Sequence, residues 1–219
     1  MTVFAGTEGD LQKNNFHNLT NENPFLSSRI ELKNSFFNRF YGGIKGNFQG
    51  FDYRAQITYE DVDNLALYVV NQDSVPRFNV LYDTANVITI SGEILFPAFE
   101  GFDVIASVAQ RIYDLDNQDK PWHLPALTLN TGLIYSTPDG KFRGRVDFFL
   151  ENGVPFRTED GGSDNLNALF DISAGGEYMF TEQIGAYARL NNLFNNKRQR
   201  WRYYPTLGIN ALVGITAKF

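Results

Sequence analysis

Six charged side chains occupy alternating positions in three successive segments: Arg143, Arg145 and Asp147, then Asp171 and Glu177, then Arg189. Residues two apart share one side of an extended strand, so if these segments are neighbouring strands the six groups form a two-signed network on one face. Such a set can pair internally, and if it lines an open lumen it also biases which ions pass. A second constellation is Lys197, Arg198, Arg200 and Arg202 interleaved with Trp201, Tyr203 and Tyr204. Guanidinium groups bind phosphate in bidentate fashion, which suits this loop to an anionic partner. The simpler expectation is a solvated hairpin loop whose rings anchor at an interface.

Other chemistry is weakly supported. Asp114, Asp116 and Asp119 offer clustered oxygens for Ca2+ but lack the glycine of a helix-loop-helix calcium site, so a solvated loop is the simpler expectation. His17 and His123 lie far apart in predicted loops and read as exposed or loop-packing residues. No Gly-x-Ser-x-Gly elbow, glycine-rich phosphate loop or His-Glu-x-x-His helix occurs, so no enzyme and no cofactor or metal is expected. Cysteine is absent, which removes disulfides, thiolate metal sites and cysteine nucleophiles. A net charge of −6 argues against nucleic acid as a partner.

The elements that must position these residues are strands. From Thr206 to Phe219, Leu207, Ile209, Ala211, Val213, Ile215, Ala217 and Phe219 share one side, with Gly208, Asn210, Leu212, Gly214, Thr216 and Lys218 on the other. The same alternation runs through Phe40–Phe48, Phe51–Glu60, Phe142–Glu151, Ala168–Phe180 and Ile184–Phe194. These segments are about ten residues long, enough for a tilted strand to cross the hydrocarbon layer. Their polar sides carry Gly, Ser, Asn and both signs of charge, as a wet lumen would. Their apolar sides place Phe40, Phe48, Phe51, Tyr59, Phe170 and Phe180 near segment ends, as the aromatic girdles of a membrane barrel do. Because only every other residue of such a barrel is apolar, the negative mean hydropathy is no objection. No run of eighteen apolar residues exists, so a transmembrane helix is excluded.

Short connections are predicted at Gln49-Gly50, Thr137–Gly140 and Thr181–Gln183, and longer ones over Glu8–Ser28, Asp114–Pro125, Asn152–Asn165 and Asn195–Pro205. Short turns at one end and long loops at the other are the habit of outer-membrane barrels, which puts Asn195–Pro205 outside if Phe219 ends at the periplasm. The span from Asp61 to Asn86 is ambiguous: Leu65–Val70 and Phe78–Asp83 are two brief strands, or one strand and a loop. With a first strand at Thr2–Thr7, the count is about ten to twelve. The expected fold is all-β, an antiparallel transmembrane β-barrel with a polar lumen and a lipid-facing exterior, forming one domain over residues 1–219. Met1 to Gly6 contains no basic or apolar leader region, so the sequence reads as a mature, trimmed or partial chain.

The ending Leu190-Asn191-Asn192-Leu193-Phe194-Asn195-Asn196-Lys197, then Trp201, Tyr203-Tyr204-Pro205-Thr206-Leu207-Gly208 and a last strand to Phe219, resembles the C-terminal end of TonB-dependent receptors, particularly those of Bacteroidetes. Asn23–Leu26, Val87–Glu93 and Pro121–Pro125 resemble barrel segments of the same receptors. The resemblance implies an integral outer-membrane barrel for nutrient uptake, in contact with lipid and lipopolysaccharide, with Phe219 read by the barrel-assembly machinery. It also implies a small-molecule ligand, a plug domain and TonB as partners if the chain belongs to a longer receptor. Family barrels have about 22 strands, so this chain would supply about half of one. The alternatives are a self-contained small barrel acting as pore, adhesin or anchor, with first and last strands adjacent, and an outer-membrane enzyme, for which only His17 and His123 are available.

Overall fold

Alternation of apolar and polar residues commits each segment to a strand with one greasy and one wet side, and antiparallel pairing then aligns like sides across the sheet. The computed structural model describes residues 1–71 and 76–218. Its strands are β1 (Thr2–Gln12), β2 (Ser35–Phe48), β3 (Phe51–Asn71), β4 (Arg77–Phe99), β5 (Phe102–Leu115), β6 (Leu127–Ser136), β7 (Phe142–Asn152), β8 (Pro155–Arg157), β9 (Ser163–Asn165), β10 (Leu169–Met179), β11 (Ile184–Asn191), β12 (Gln199–Trp201), β13 (Tyr204–Pro205) and β14 (Asn210–Ala217). One helix, α1 (Phe16–Glu22), follows β1. Ten strands form a single antiparallel sheet in the order β1-β2-β3-β4-β5-β6-β7-β10-β11-β14, and β8–β9 and β12–β13 are small hairpins in the loops. Among the described residues no ladder joins β1 to β14, so the two strands stand at the edges of the sheet rather than side by side.

Register confirms the two faces. Val3, Ile44, Ala55 and Gly92 align in one row, and Ala211, Leu190, Ala174 and Val146 in another, all on the apolar side. Nothing among the described residues covers that side: Val213 is 75%, Ile215 80%, Phe48 67% and Ile57 58% exposed. Toward the short-turn end it carries ring contacts from strand to strand, Phe51 with Phe96 at 5.7 Å, Phe102 with Tyr135 at 4.4 Å and Tyr135 with Phe142 at 6.2 Å. From Phe48 up to Phe40, which pairs with Tyr59, the strand rises about 26 Å, close to the height of a barrel's apolar band.

The short turns lie at one end. Gln49 and Gly50 both have positive φ, 50° and 82°, the geometry of a tight two-residue hairpin that matches strand twist. A further turn at Glu100-Gly101, which the sequence reading did not single out, joins β4 to β5.

Two expectations are corrected. The first strand continues from Thr7 to Gln12, pairing with β2 as far as Ser35, and the connection after it holds a helix. Leu65–Val70 and Phe78–Asp83 are not separate strands: they prolong β3 and β4 to 21 and 23 residues, past the ends of β2 and β5. A bulge between Val62 and Leu65, where Asn64 adopts φ 57°, marks the start of this projecting hairpin.

Long loops clasp the projection, each crossing one face and bonding the far edge. The helix α1 and the segment after it lay Leu19 and Leu26 on Tyr68, Phe78 and Val80, and Ser27 N–H donates to the Phe78 carbonyl of β4 at 2.8 Å. The β5–β6 connection lays Trp122 on the opposite face, against Leu67 and Val69, and its carbonyl accepts from Tyr68 N–H of β3 at 3.1 Å. Asp83, 3% exposed, takes the N–H groups of Asn117 and Gln118 at 3.0 and 2.7 Å and fixes that connection. The largest fully buried apolar side chains, Trp122, Tyr68, Phe78, Leu19 and Leu67, all belong to this cap.

Truncating Phe78, fully buried at the centre of the cap, to Ala should cost the cap about 3–5 kcal/mol while leaving the lipid-facing strands paired. Both tryptophans of the chain sit here, so the measurement is a red shift of their emission with unchanged heat-modifiable mobility on a gel.

Candidate functional site

Two regions carry the polar chemistry: the wet face of the sheet and the cap above it. On the wet face, aligned positions bring together Glu8, Arg39 and Glu60, then Thr2, Lys45, Arg54 and Glu93, and farther along the sheet Asp147, Ser173, Arg145, Gly175 and Arg189. The face is concave: one cavity of about 500 Å3 is lined from β1 to β5 by residues including Glu8, Arg39, Thr58, Ser91 and Arg111, and a second of about 580 Å3 by Glu93, Asn130, Arg145, Asp147 and Arg189.

Arg145, Asp147 and Arg189 meet: Asp147 accepts from Arg145 Nε at 2.6 Å and lies 3.4 Å from Arg189 Nη2. Arg189 also donates to Asn191 at 2.9 Å. With about half of each arginine in solvent, such pairs are worth at most about 1 kcal/mol and act chiefly to fix side-chain positions. Glu177 stands opposite Arg143 in register, but its carboxylate accepts from Thr216 of β14 at 2.6 Å. Asp171 is apart from the trio, taking a hydrogen bond from Ser173 at 3.2 Å. A second ionic group lies on the first three strands, with Arg39 Nε 2.6 Å from Glu60 and Arg39 Nη1 3.6 Å from Asp10. Arg39 and Glu60 meet through the register of β2 and β3, and Asp10, expected in a loop, lies on β1.

The basic aromatic loop turns partly inward. Trp201 is buried against Tyr68 and Phe78, with ring centroids 5.0 and 5.4 Å away, rather than lying at a lipid interface. Tyr204 stacks on Phe25 at 3.5 Å, and Arg200 pairs with Glu151 at 3.5 Å. Lys197 and Tyr203 face solvent, while Arg198 is half-buried and its carbonyl accepts from Thr206 N–H at 2.8 Å. Arg202 stacks on Phe156 at 4.2 Å and Tyr203 at 4.9 Å. Five strand spacings, about 24 Å along the sheet, separate β4 from β11, yet Trp201 after β11 touches Phe78 of β4. The loops therefore bridge the mouth of the curved sheet. Phe219 lies outside the described residues.

The two histidines are not brought together into any metal-binding group, and no such group of Asp114, Asp116 and Asp119 forms among the described residues. His17 is exposed on α1 beside Asn21. His123 is buried, stacked on Trp201 at 5.5 Å and edge-on to Phe78 at 4.9 Å. Its Nδ1 donates to the Tyr68 carbonyl at 2.8 Å, and Nε2 has no partner among the described residues.

The fold this geometry defines is the antiparallel wall of a β-barrel, apolar on one side and polar on the other, as in solved outer-membrane receptor barrels. Solved structures that share it include the copper transporter OprC (TM-score 0.71, 14% identity, 99% of this chain and 37% of that one) and the ferric-catecholate import receptor Fiu from E. coli K12 (0.70, 14%, 99% and 33%). The receptor FpvA of P. aeruginosa bound to heterologous pyoverdines is a third (0.71, 13%, 99% and 31%). The chain thus spans about a third of the length of these structures. No protein-family model matches it, and no curated protein matches it in sequence.

Burial pushes the His123 imidazole down to about 4; the Tyr68 carbonyl opposes the shift and the Arg202 charge adds to it. An unfolded chain takes up that proton near 6.5 and the folded cap refuses it, so above 6.5 the group leaves stability unchanged. As pH falls from 6.5 toward 4 the cap should lose on the order of 3 kcal/mol. Tryptophan emission followed across that window should shift in the wild type and stay flat in His123→Phe.

Proposed function

We propose that this chain forms the C-terminal part of the barrel of a TonB-dependent receptor of the Bacteroidetes type, and that its work is nutrient uptake across the outer membrane. The observation that carries the reading is the ten-stranded sheet itself, apolar and uncovered on one side, polar and concave on the other, with long loops at one end only. The Asn192-Leu193-Phe194 segment that follows β11 and the Tyr- and Pro-containing loop after it support the finer placement. The solved structures of this shape are transporters and receptors, which supports transport over catalysis.

In this reading residues 1–219 are one domain, the cap faces outward toward lipopolysaccharide, and the short turns face the periplasm. The wet face lines the lumen, where Arg143, Arg145, Asp147, Asp171, Glu177 and Arg189 contact water, a plug domain or a passing solute. The edges β1 and β14 pair with further strands, because each unmet backbone group in hydrocarbon costs several kcal/mol. Energised transport then requires a plug and TonB, insertion requires the barrel-assembly machinery reading Phe219, and no cofactor takes part.

Because the chain contains no cysteine, single substitutions give a clean test. In outer membranes, Val213→Cys and Ile215→Cys should resist a membrane-impermeant maleimide and react with a lipid-soluble one, while Leu212→Cys and Thr216→Cys should react with the impermeant reagent. Uniform labelling of all four by the impermeant reagent would sink the lipid-facing assignment.

A further inference from the structure

The cap holds a feature that the barrel reading does not use. A cavity of about 390 Å3, within the range of small-ligand sites, lies beside the two small loop hairpins, lined by residues that include Val70, Pro76, Arg157, Glu159, Arg202 and Tyr203. Neither Arg157 nor Arg202 makes an ion pair among the described residues. Both are held by rings instead: Arg157 lies 5.2 Å over Trp122, and Arg202 lies over Phe156 and Tyr203. Stacking engages the faces of a guanidinium and leaves its N–H edges free to donate. Of five N–H donors each, one hydrogen bond from Arg157 goes to Gln118 at 2.8 Å and one from Arg202 to the Arg157 carbonyl at 3.0 Å. Glu159 stands in the same cavity and accepts from Tyr203 Oη at 3.0 Å.

We propose that Arg157 and Arg202 form a binding site for a compact oxyanion, of which a phosphate group is the simplest, borne by a small solute or by a lipid headgroup. Two guanidinium groups with most of their donors unspent offer more hydrogen bonds than one carboxylate can take, and three phosphate oxygens match them better. The rings pre-arrange both cations, so little side-chain freedom is lost when the anion arrives. Glu159 is the counterweight: it repels the anion from one side and offsets part of the positive charge of the empty site.

The site rests on the barrel reading only in taking the loop end to face the outer medium, and its test does not depend on lipid exposure of the strands. The full chain, purified in detergent, is titrated calorimetrically with inorganic pyrophosphate. Saturable binding is expected, weakened about tenfold or more by Arg157→Gln or Arg202→Gln and strengthened about threefold by Glu159→Gln. Unchanged tryptophan emission in each variant shows that the cap is intact. Competition by lipopolysaccharide vesicles assigns the anion to a lipid headgroup, and its absence assigns it to a soluble solute. No saturable binding at millimolar pyrophosphate, or binding indifferent to both arginine variants, overturns the site while leaving the cysteine-labelling result, and so the barrel, untouched.

Discussion

Hydrocarbon offers no hydrogen bonds, so any backbone that crosses it must satisfy its own N–H and C=O groups through neighbouring strands. That constraint sets the rest of the structure. It requires one unbroken antiparallel ladder from β1 to β14 and forces side chains to alternate between lipid and water. Connections must then be either tight, as at Gln49-Gly50, or carried well clear of the apolar band. The polar face follows from the same rule. Groups such as Arg145, Asp147 and Arg189 are tolerated because every second position looks into solvent, and their half-exposed pairs organise that surface more than they stabilise it.

Where one face met lipid and the other water, the sequence was legible. Phe51–Glu60, Phe142–Glu151 and the final strand could be assigned by inspection, because their two environments differ sharply. The span from Leu65 to Asp83 resisted for a physical reason. There β3 and β4 are covered on both sides, by Trp122 on one and by Leu19 and Leu26 on the other, so Leu65–Val70 is apolar throughout and carries no period of two. The bulge at Asn64 also shifts the phase. The end of β1 misled in the opposite sense: Glu8 and Asp10 look like loop residues because the strand has already left the membrane there. Site residues divide likewise. Arg145 and Asp147 are joined by their spacing along one strand, whereas Arg189 with Asp147, and Arg39 with Glu60 and Asp10, needed the register, and the pairing of Glu177 with Thr216 needed the neighbour of β11.

The dry interior of this protein therefore lies outside its membrane-facing sheet. A membrane barrel has no use for a core between its walls, since lipid covers one side and water the other. Among the described residues the largest buried apolar side chains meet in the cap, where a hairpin projects beyond its neighbours with two bare edges and two bare faces. Loops from opposite flanks cover both, each bonding the edge farther from its own origin: Ser27 to Phe78 of β4, Trp122 to Tyr68 of β3. Exposed edges that would recruit another chain are thereby blocked.

The order in which the cap's parts leave the ribosome has a consequence. Leu19 and Leu26 precede the hairpin they cover, Trp122 follows it, and Trp201, which completes the ring contacts with Tyr68 and Phe78, comes only after β11. The last stone cannot be set until nine strands of the wall stand beside one another. A sealed roof is thus a record of finished masonry, and a chain stalled part-way would show its open seam to any protease that reached it.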